Sequence, residues 1–495
     1  MIKELLDTLG RGDKQRETLS QLRSLIKEEA PCAELKELLG NGETIIALLS
    51  HEDAKTRKNA ALLLGDLQLQ SALFALKDAY EQEKTLFVKS SYLTALSKLE
   101  VTELLEFFKN RREELLATEA GEEEKKHIGE ELHALNAMII KVDGRKKHTF
   151  KGFEKPHKVL LSTNREQREV TFQEVAELSA TVQRHTQLHP LGVSVYTKEL
   201  MPFTKLRSYR ELLFPILEEK TVSEQPKEAA GQIWNSGILA FLQECHKEEA
   251  PFYFRLEVKA AMPQMEYAKK LSMALEQLSG YTLINDTKDY EVEIRLLSVK
   301  EGGYMAFLRL KTIPMKRFSY RKNAIAMSIH PATAAMMMRL AKPYLKENAQ
   351  ILDPCCGVGT MLIERDICVP AREKYGIDIF GDAIAGAREN AGLAGEKINF
   401  IHRDFLDFKH EYLFDEIITN MPVRGKKTKE EMDAFYGAFF KKAASLLVDN
   451  GKIIIYTNEA GFVKKYLRLQ ANLRLVQEFC IRKKEQFFLY IIEMR

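Results

Sequence analysis

The spacing of apolar residues changes along the chain and divides it into three regions. Over the first 140 or so residues apolar positions recur every three to four places, strand-like alternation is absent, and proline is almost absent. That is the spacing of amphipathic helices, and the region is predicted to be helical throughout. Two stretches within it look alike: AKTRKNAALLLGDL (54–67) and TLFVKSSYLTALSKL (85–99). Each opens on basic residues and continues with small residues and leucines at helical spacing. Their offset of about 31 residues suits a helical-hairpin repeat, in which units stack because none buries its apolar face alone.

Residues 120–130 (AGEEEKKHIGE) are charged, and the helical pattern resumes through HALNAMII. The stretch GRKKHTFKGFEKPHK (144–158) then combines Gly, Pro and many cations, and reads as a linker. Its cations interleave with Phe150 and Phe153, so it is either a solvated connection or a contact for RNA. Beyond it the period drops to two. KVLLST and FYFRLEVKA alternate as strands do. The helix QMEYAKKLSMALEQLSG follows, with Ala268, Leu271, Leu275 and Leu278 on one face and Gly280 as its stop. DYEVEIRLLSV and GGYMAFLRL are two more strands joined at Gly302-Gly303. This strand–helix–strand–strand order predicts a helix packed on a small sheet.

From about 344 the pattern becomes strand, glycine turn, helix, strand, helix. The strand AQILD ends on Asp353. The turn carries Gly357 and Gly359, and TMLIERD continues as helix. Parallel α/β sheets bind ligands outside the carboxyl ends of their strands, at such turns. The dinucleotide fingerprint needs a third glycine, and this turn reads GVGTML. Asp353 would repel a pyrophosphate and suits a cation. S-adenosylmethionine (SAM) carries an ammonium on its methionine end. The second strand ends on Asp378, where a carboxylate can accept hydrogen bonds from ribose hydroxyls. The third ends near Asp404, placed for an adenine amino group. The fourth runs into Asn420-Met421-Pro422-Val423.

Composition removes several classes of function. The net charge of +3 over 495 residues is too small for a global basic field, so contacts to nucleic acid must be local. The six cysteines form no CxxC pair, and no His stands at zinc spacing from a cysteine pair, so no metal is expected. No apolar run reaches bilayer length and the amphipathic start is no secretory signal, so a cytoplasmic protein is expected, without a membrane partner.

The repeated helices resemble HEAT-type repeats, an ordinary bundle being the alternative, and stacked helices of that kind present a concave surface to RNA or a protein partner. DPCCGVGT is similar to the DP[FM]CG[ST]GT signature of RNA methylases that often carry a THUMP domain, the tRNA guanine-N2 methyltransferases among them. RFSYRK with SIHPATAAMMMRLA looks like that family's RGYR element and the helix leading into the SAM fold. DYEVEIRL…YMAFLRL resembles the end of a THUMP-type module. The resemblance runs through about 316–460, is weaker over 250–315, and does not reach the helical region.

The architecture implied is a HEAT-like region over 1–143, an α+β and partly THUMP-like domain over 158–320, and a Rossmann-like SAM-dependent methyltransferase domain over 321–495. The resemblance places Asp353, Cys356, Gly357, Gly359 and Thr360 on SAM, with Ser328 and His330 near its methionine end, Asp378 on the ribose, Asp404 on the adenine and Asn420 beside the cofactor. Asn420, Met421 and Pro422 stand where the family has its catalytic NPP[YF] motif. There the Asn oxygen and the next backbone carbonyl accept hydrogen bonds from an exocyclic amine. Val423 replaces the aromatic that stacks on a flipped base, and Phe435, Tyr436 or an aromatic from the middle domain is the expected substitute. Lys316, Arg317, Arg321 and Lys322 surround Phe318 and Tyr320, which suits either a nucleic-acid path or a structural hinge; Arg317, Arg321, Arg424, Lys426 and Lys427 are candidate contacts for a substrate phosphate. The implied activity is methylation of a base amine in RNA, foremost guanine N2 of tRNA or rRNA. The alternatives are a DNA adenine or protein glutamine methyltransferase, or a SAM-binding, RNA-binding scaffold without catalysis.

Overall fold

The computed structural model describes residues 2–118, 122–145, 147–178, 184–217, 220–249 and 251–495. Helices occupy the chain from Ile2–Gly10 to Glu122–Asp143. The two similar stretches form helices Ala54–Asp66 and Leu86–Leu96, packed side by side. They continue a row that starts at Gln15–Leu25 and ends at Glu122–Asp143. The row closes over Leu22, Leu64, Leu93 and Leu135, all inaccessible to solvent. Gly65 sets its closest approach: a Cβ there would lie 2.6 Å from the Ala95 Cα.

The middle region is one eight-stranded sheet. Its strands are β1 (His157–Ser162), β2 (Arg184–His189), β3 (Gly192–Thr197), β4 (Glu211–Pro215), β5 (Phe252–Lys259), β6 (Leu283–Asn285), β7 (Val292–Ser298) and β8 (Tyr304–Leu310). Their order is β2-β3-β1-β4-β8-β7-β5-β6. The strand–helix–strand–strand pattern supplies half of it. Helix Met265–Leu278 crosses over from β5, which runs parallel to β7, and β7 turns antiparallel into β8.

The basic stretch 144–158 is not a solvated linker. Phe150 is buried in the core of this sheet, and Phe153 packs against that core. The His148 ring stacks on Phe252 with centroids 4.1 Å apart, and its Nδ1 lies 2.7 Å from Glu291 Oε1. The Arg145 guanidinium sits 3.4 Å from the Tyr253 ring centre. Lys146 of that stretch, and residues 120 and 121 of the charged one before it, lie outside the described residues.

The last region holds β9 (Gln350–Asp353), β10 (Glu373–Asp378), β11 (Asn399–His402), β12 (Phe414–Asn420), β13 (Leu447–Thr457), β14 (Leu473–Arg482) and β15 (Phe487–Met494). The order is β11-β10-β9-β12-β13-β15-β14. The first five are parallel, and β15 runs antiparallel between β13 and β14. Strands such as DEIITN and KIIIYT are apolar on both faces because both faces are covered. Ile417 and Ile453 meet helix Lys429–Leu446 on one side; Ile418 and Ile454 meet helix Pro331–Ala341 on the other.

Of the two readings of the segment around Arg317, Phe318 and Tyr320, a nucleic-acid path or a structural hinge, the structure has the second: it is the joint between the two sheets. Arg317 lies 3.7 Å from the Tyr209 ring centre and donates to the carbonyls of Leu206, Tyr209 and Arg210 at 2.8, 2.6 and 2.6 Å. Its donors are thereby spent within the protein, which corrects its assignment as a substrate contact. Arg207 grips Glu364 of helix Thr360–Cys368 through two hydrogen bonds of 2.9 and 2.7 Å. Tyr320 donates to the same carboxylate at 2.6 Å. Glu364 is buried, and burial pushes its carboxyl up against the pull of Arg207.

Arg207→Met leaves that buried carboxylate without its counter-charge, with the Tyr320 hydroxyl still donating to it, and is expected to cost about 3–5 kcal/mol. Arg207→Met with Glu364→Leu should recover most of the loss. Urea unfolding of both variants is the check, and a double variant no more stable than the single one refutes the pairing.

Candidate active site

The site lies where β9, β10 and β12 end. After Asp353 the chain turns through Cys355 and Cys356 into helix Thr360–Cys368. The turn needs Gly357 and Gly359 at φ 51° and 81°, the left-handed region that other residues avoid. A Cβ on Gly359 would also stand 3.0 Å from the Phe400 ring. The Asp378 carboxylate ties the turn to the neighbouring strand, accepting from the amides of Gly357 at 2.8 Å and Phe380 at 3.0 Å.

Asp353 is 1% exposed. One carboxylate oxygen accepts from the Cys355 amide at 3.1 Å. The other makes no well-formed hydrogen bond among the described residues, although the Thr419 hydroxyl lies close enough to favour its charge, and the Thr360 hydroxyl is likewise without one. Burial raises the Asp353 carboxyl to about 7, against the pull of Thr419 and the Cys355 amide, while Asp378 adds to the rise. An orphaned buried carboxylate oxygen is costly. A bound ammonium removes that cost, so the residues present fit the methionine end of SAM.

Segment 321–330 covers the mouth. Asn323 is clamped by the fully buried Asn390, which accepts from its amide at 3.0 Å and donates to its carbonyl at 3.1 Å. Arg321 donates to the Ile329 carbonyl at 2.9 Å, and the Ser328 hydroxyl accepts from the Ile325 amide at 2.9 Å. Ile325, Met327 and Ser328 line the pocket from above. Asn420, the last residue of β12, donates through Nδ2 to the Met327 carbonyl at 3.5 Å, which leaves its Oδ1 free to accept. The Met421 amide donates to the Tyr456 carbonyl at 3.0 Å, its side chain is buried, and Pro422 and Val423 form the wall beyond.

The pocket therefore collects Ser328, Asp353, Cys356, Gly357, Thr360, Asp378, Asn420, Met421 and Pro422 from the expected set. Gly359 shapes the turn beneath it. His330 is not among the lining residues; its Nδ1 accepts from the Ala332 amide at 3.1 Å and caps helix Pro331–Ala341. Asp404 lies outside the lining too, capping Phe405–Asp407 through the Leu406 amide at 2.8 Å. Arg321 holds the covering segment together rather than reaching outward. Arg424, Lys426 and Lys427 are exposed on the loop after Val423, with Arg424 donating to the Lys427 carbonyl at 3.0 Å and Lys427 placed 5.3 Å from the Phe435 ring centre. Tyr436 cannot replace the lost aromatic, being fully buried with its hydroxyl 2.7 Å from that of Thr457. Sequence reasoning missed Phe380, a lining residue that is 62% exposed. An apolar residue held in the open directly after a strand-end carboxylate was the available signal.

Residues 319–486 match the family model of UPF0020, described as an RMKL-like methyltransferase domain. The ribosomal protein L11 methyltransferase of Thermotoga petrophila is 23% identical over 223 residues, 43% of this chain and 75% of that one. The tRNA (guanine(10)-N2)-dimethyltransferase of Methanothermobacter thermautotrophicus is 30% identical over 129 residues, 26% of this chain and only 37% of that relative's length. Among solved structures, TrmN from Thermus thermophilus superposes with a TM-score of 0.50 at 19% identity, over 68% of this chain and 99% of that one, a likeness of fold. The chain carries a SAM-dependent methyltransferase domain.

The free carboxyl of Asp353 must lose its proton before it pairs with an ammonium. Because its folded pKa is raised to about 7, SAM affinity should climb from pH 5.5 and level off near 7. The expected slope is roughly tenfold per unit below that point. Asp353→Asn should bind weakly at every pH. Calorimetry between pH 5.5 and 7.5 is the test, and a flat wild-type profile refutes the pairing.

Proposed function

We propose that this SAM-dependent methyltransferase methylates an exocyclic base amine in RNA, foremost guanine N2 of tRNA or rRNA. The observation that carries the reading is Asn420, held at the end of β12 beside the Asp353 pocket with its amide turned by the Met327 carbonyl. The relative named as a tRNA guanine-N2 dimethyltransferase supports the choice of amine. Bound SAM supplies an electrophilic methyl group. Asp353 pairs with its ammonium, the backbone at Gly357 and Gly359 lets it approach closely, and Cys356 and Thr360 flank it. Asp378 takes the ribose, with Phe380 against the adenine.

Asn420 Oδ1 and the Met421 carbonyl each accept an N–H of the target amine, which aims the nitrogen lone pair at the methyl carbon. These two acceptors would hold the amine for attack on the methyl group that bound SAM would supply, its surplus proton passing to water. Arg424, Lys426 and Lys427 stand on the loop beside this point. The helices of the first region act as HEAT-like repeats that engage RNA or a protein partner, and the middle sheet acts as a THUMP-like platform for the RNA. The L11 methyltransferase relative supports one second reading, a protein amine as the substrate, which needs no stacking ring where Val423 stands.

The test is transfer of tritium from labelled SAM into total RNA of a strain lacking this protein, followed by digestion to nucleosides. Label should appear in N2-methylguanosine. Asn420→Ala should lower transfer about 100-fold or more while SAM binding stays intact. Label in protein alone selects the second reading, and equal transfer by Asn420→Ala removes that residue from the chemistry.

A further inference from the structure

The carboxyl edge of the catalytic sheet carries a second group of side chains that neither the cofactor nor the target amine uses. Tyr456 is the register partner of Asn420 on the next strand. Both stand on the face packed by helix Pro331–Ala341, as strand alternation from Ile418 and Ile454 requires. Phe487, where β15 begins, stacks on Tyr456 with centroids 5.0 Å apart. Arg482, where β14 ends, holds its guanidinium 5.8 Å from the Phe487 ring centre.

Arg210 reaches the same place from the middle domain. Its guanidinium donates to the Thr333 hydroxyl at 3.3 Å, in the first turn of helix Pro331–Ala341. The charges of Arg210 and Arg482 are both felt at the Tyr456 hydroxyl, as is the opposite charge of Glu485, and both arginines keep solvent-exposed surface. Burial by its neighbours, and next the like charge of Arg482, hold Arg210 below the usual arginine range. Exposed Lys483 and Lys484 follow on the turn, and Arg321 and the His330 ring adjoin. Among the described residues no carboxylate forms an ion pair with Arg210 or Arg482. Glu211, beside Arg210, is engaged by Arg295 and Arg309. Glu485 is the acid on the turn.

Two guanidiniums from separate domains thus converge, without an ion-paired carboxylate among the described residues, beside a pair of stacked rings on the Asn420 side of the sheet. Like charges held together call for an anion between them, and the planar fork of arginine matches phosphate oxygens two at a time. We propose that Arg210 and Arg482 form a clamp for a backbone phosphodiester of the polynucleotide whose base enters at Asn420. This rests on the reading of the substrate as a nucleic acid. From β12 to β14 is three strand spacings, about 14 Å, which the long side chains shorten. That distance suits the backbone flanking an extruded base. Each of the two domains supplies one of the clamp's two cations.

The test is the full-length double variant Arg210→Ala/Arg482→Ala against wild type, titrated with fluorescent total tRNA and with duplex DNA between 50 and 200 mM salt. Thermal unfolding and SAM calorimetry serve as controls for the fold. The tRNA affinity should fall about tenfold, and the slope of log K against log salt should shrink by about one for each phosphate no longer neutralised. Arg210→Lys/Arg482→Lys should keep the slope while losing part of the affinity. Loss for tRNA alone, or for tRNA and DNA alike, supports a phosphodiester clamp and tells which nucleic acid it serves. Unchanged affinity and slope for both overturns it. If wild type methylates guanine in RNA while the double variant binds tRNA normally, the clamp fails and the reaction stands. If wild type labels no RNA yet loses nucleic-acid affinity with the two arginines, the clamp stands and the reaction assignment fails.

Discussion

The buried carboxylate of Glu364 is the constraint on which the arrangement turns. It sits in the helix that begins at the glycine turn under Asp353, and its partners come from elsewhere in the chain. Arg207 belongs to the middle sheet and Tyr320 to the segment leading into the catalytic fold. A charge this deeply enclosed tolerates no loss of partners. The helix that shapes the cofactor pocket is therefore positioned by a domain outside the catalytic fold. Asn164 and Gln167 reinforce the same contact by donating to the carbonyls of Ile481 and Cys480 on β14, at 2.7 and 2.8 Å.

Within the pocket the polar groups fall into two sorts. Asp378 is satisfied by the backbone of the turn it braces. Asp353, Thr360 and Thr419 keep oxygens with no well-formed hydrogen bond among the described residues. Buried polar atoms are normally satisfied in full, so the unsatisfied ones mark where a ligand completes the interior, while Asp378, with one amide on each oxygen, keeps acceptor capacity for a hydroxyl. Asn420 belongs with these: one end of its amide is held by Met327, and the other is left for the substrate.

The sequence made the strand-end carboxylates and the glycine turn legible because those features are local. A strand ends, a turn needs positive φ, and a carboxylate follows, all within a few residues. What it left hidden depends on distant partners. Arg317 and Tyr320 look like a nucleic-acid path until Tyr209 and Glu364 appear beside them. Phe150 and Phe153 look like linker aromatics until the core of the middle sheet closes over them. Strand β2, RHTQLH, stands at a sheet edge and keeps a polar composition that conceals its pairing. His330 carries little signal of its own, and the cap it makes uses the imidazole that a ligand would need.

The docking of Asn164 and Gln167 on β14 has a practical side for anyone wishing to isolate the catalytic fold. A fragment starting at 321 would retain every strand from β9 to β15, yet it would strip Glu364 of its arginine and bare the carbonyls of Cys480 and Ile481. The boundary drawn by homology and the boundary drawn by cohesion do not coincide in this chain. A fragment that keeps the middle sheet keeps these contacts.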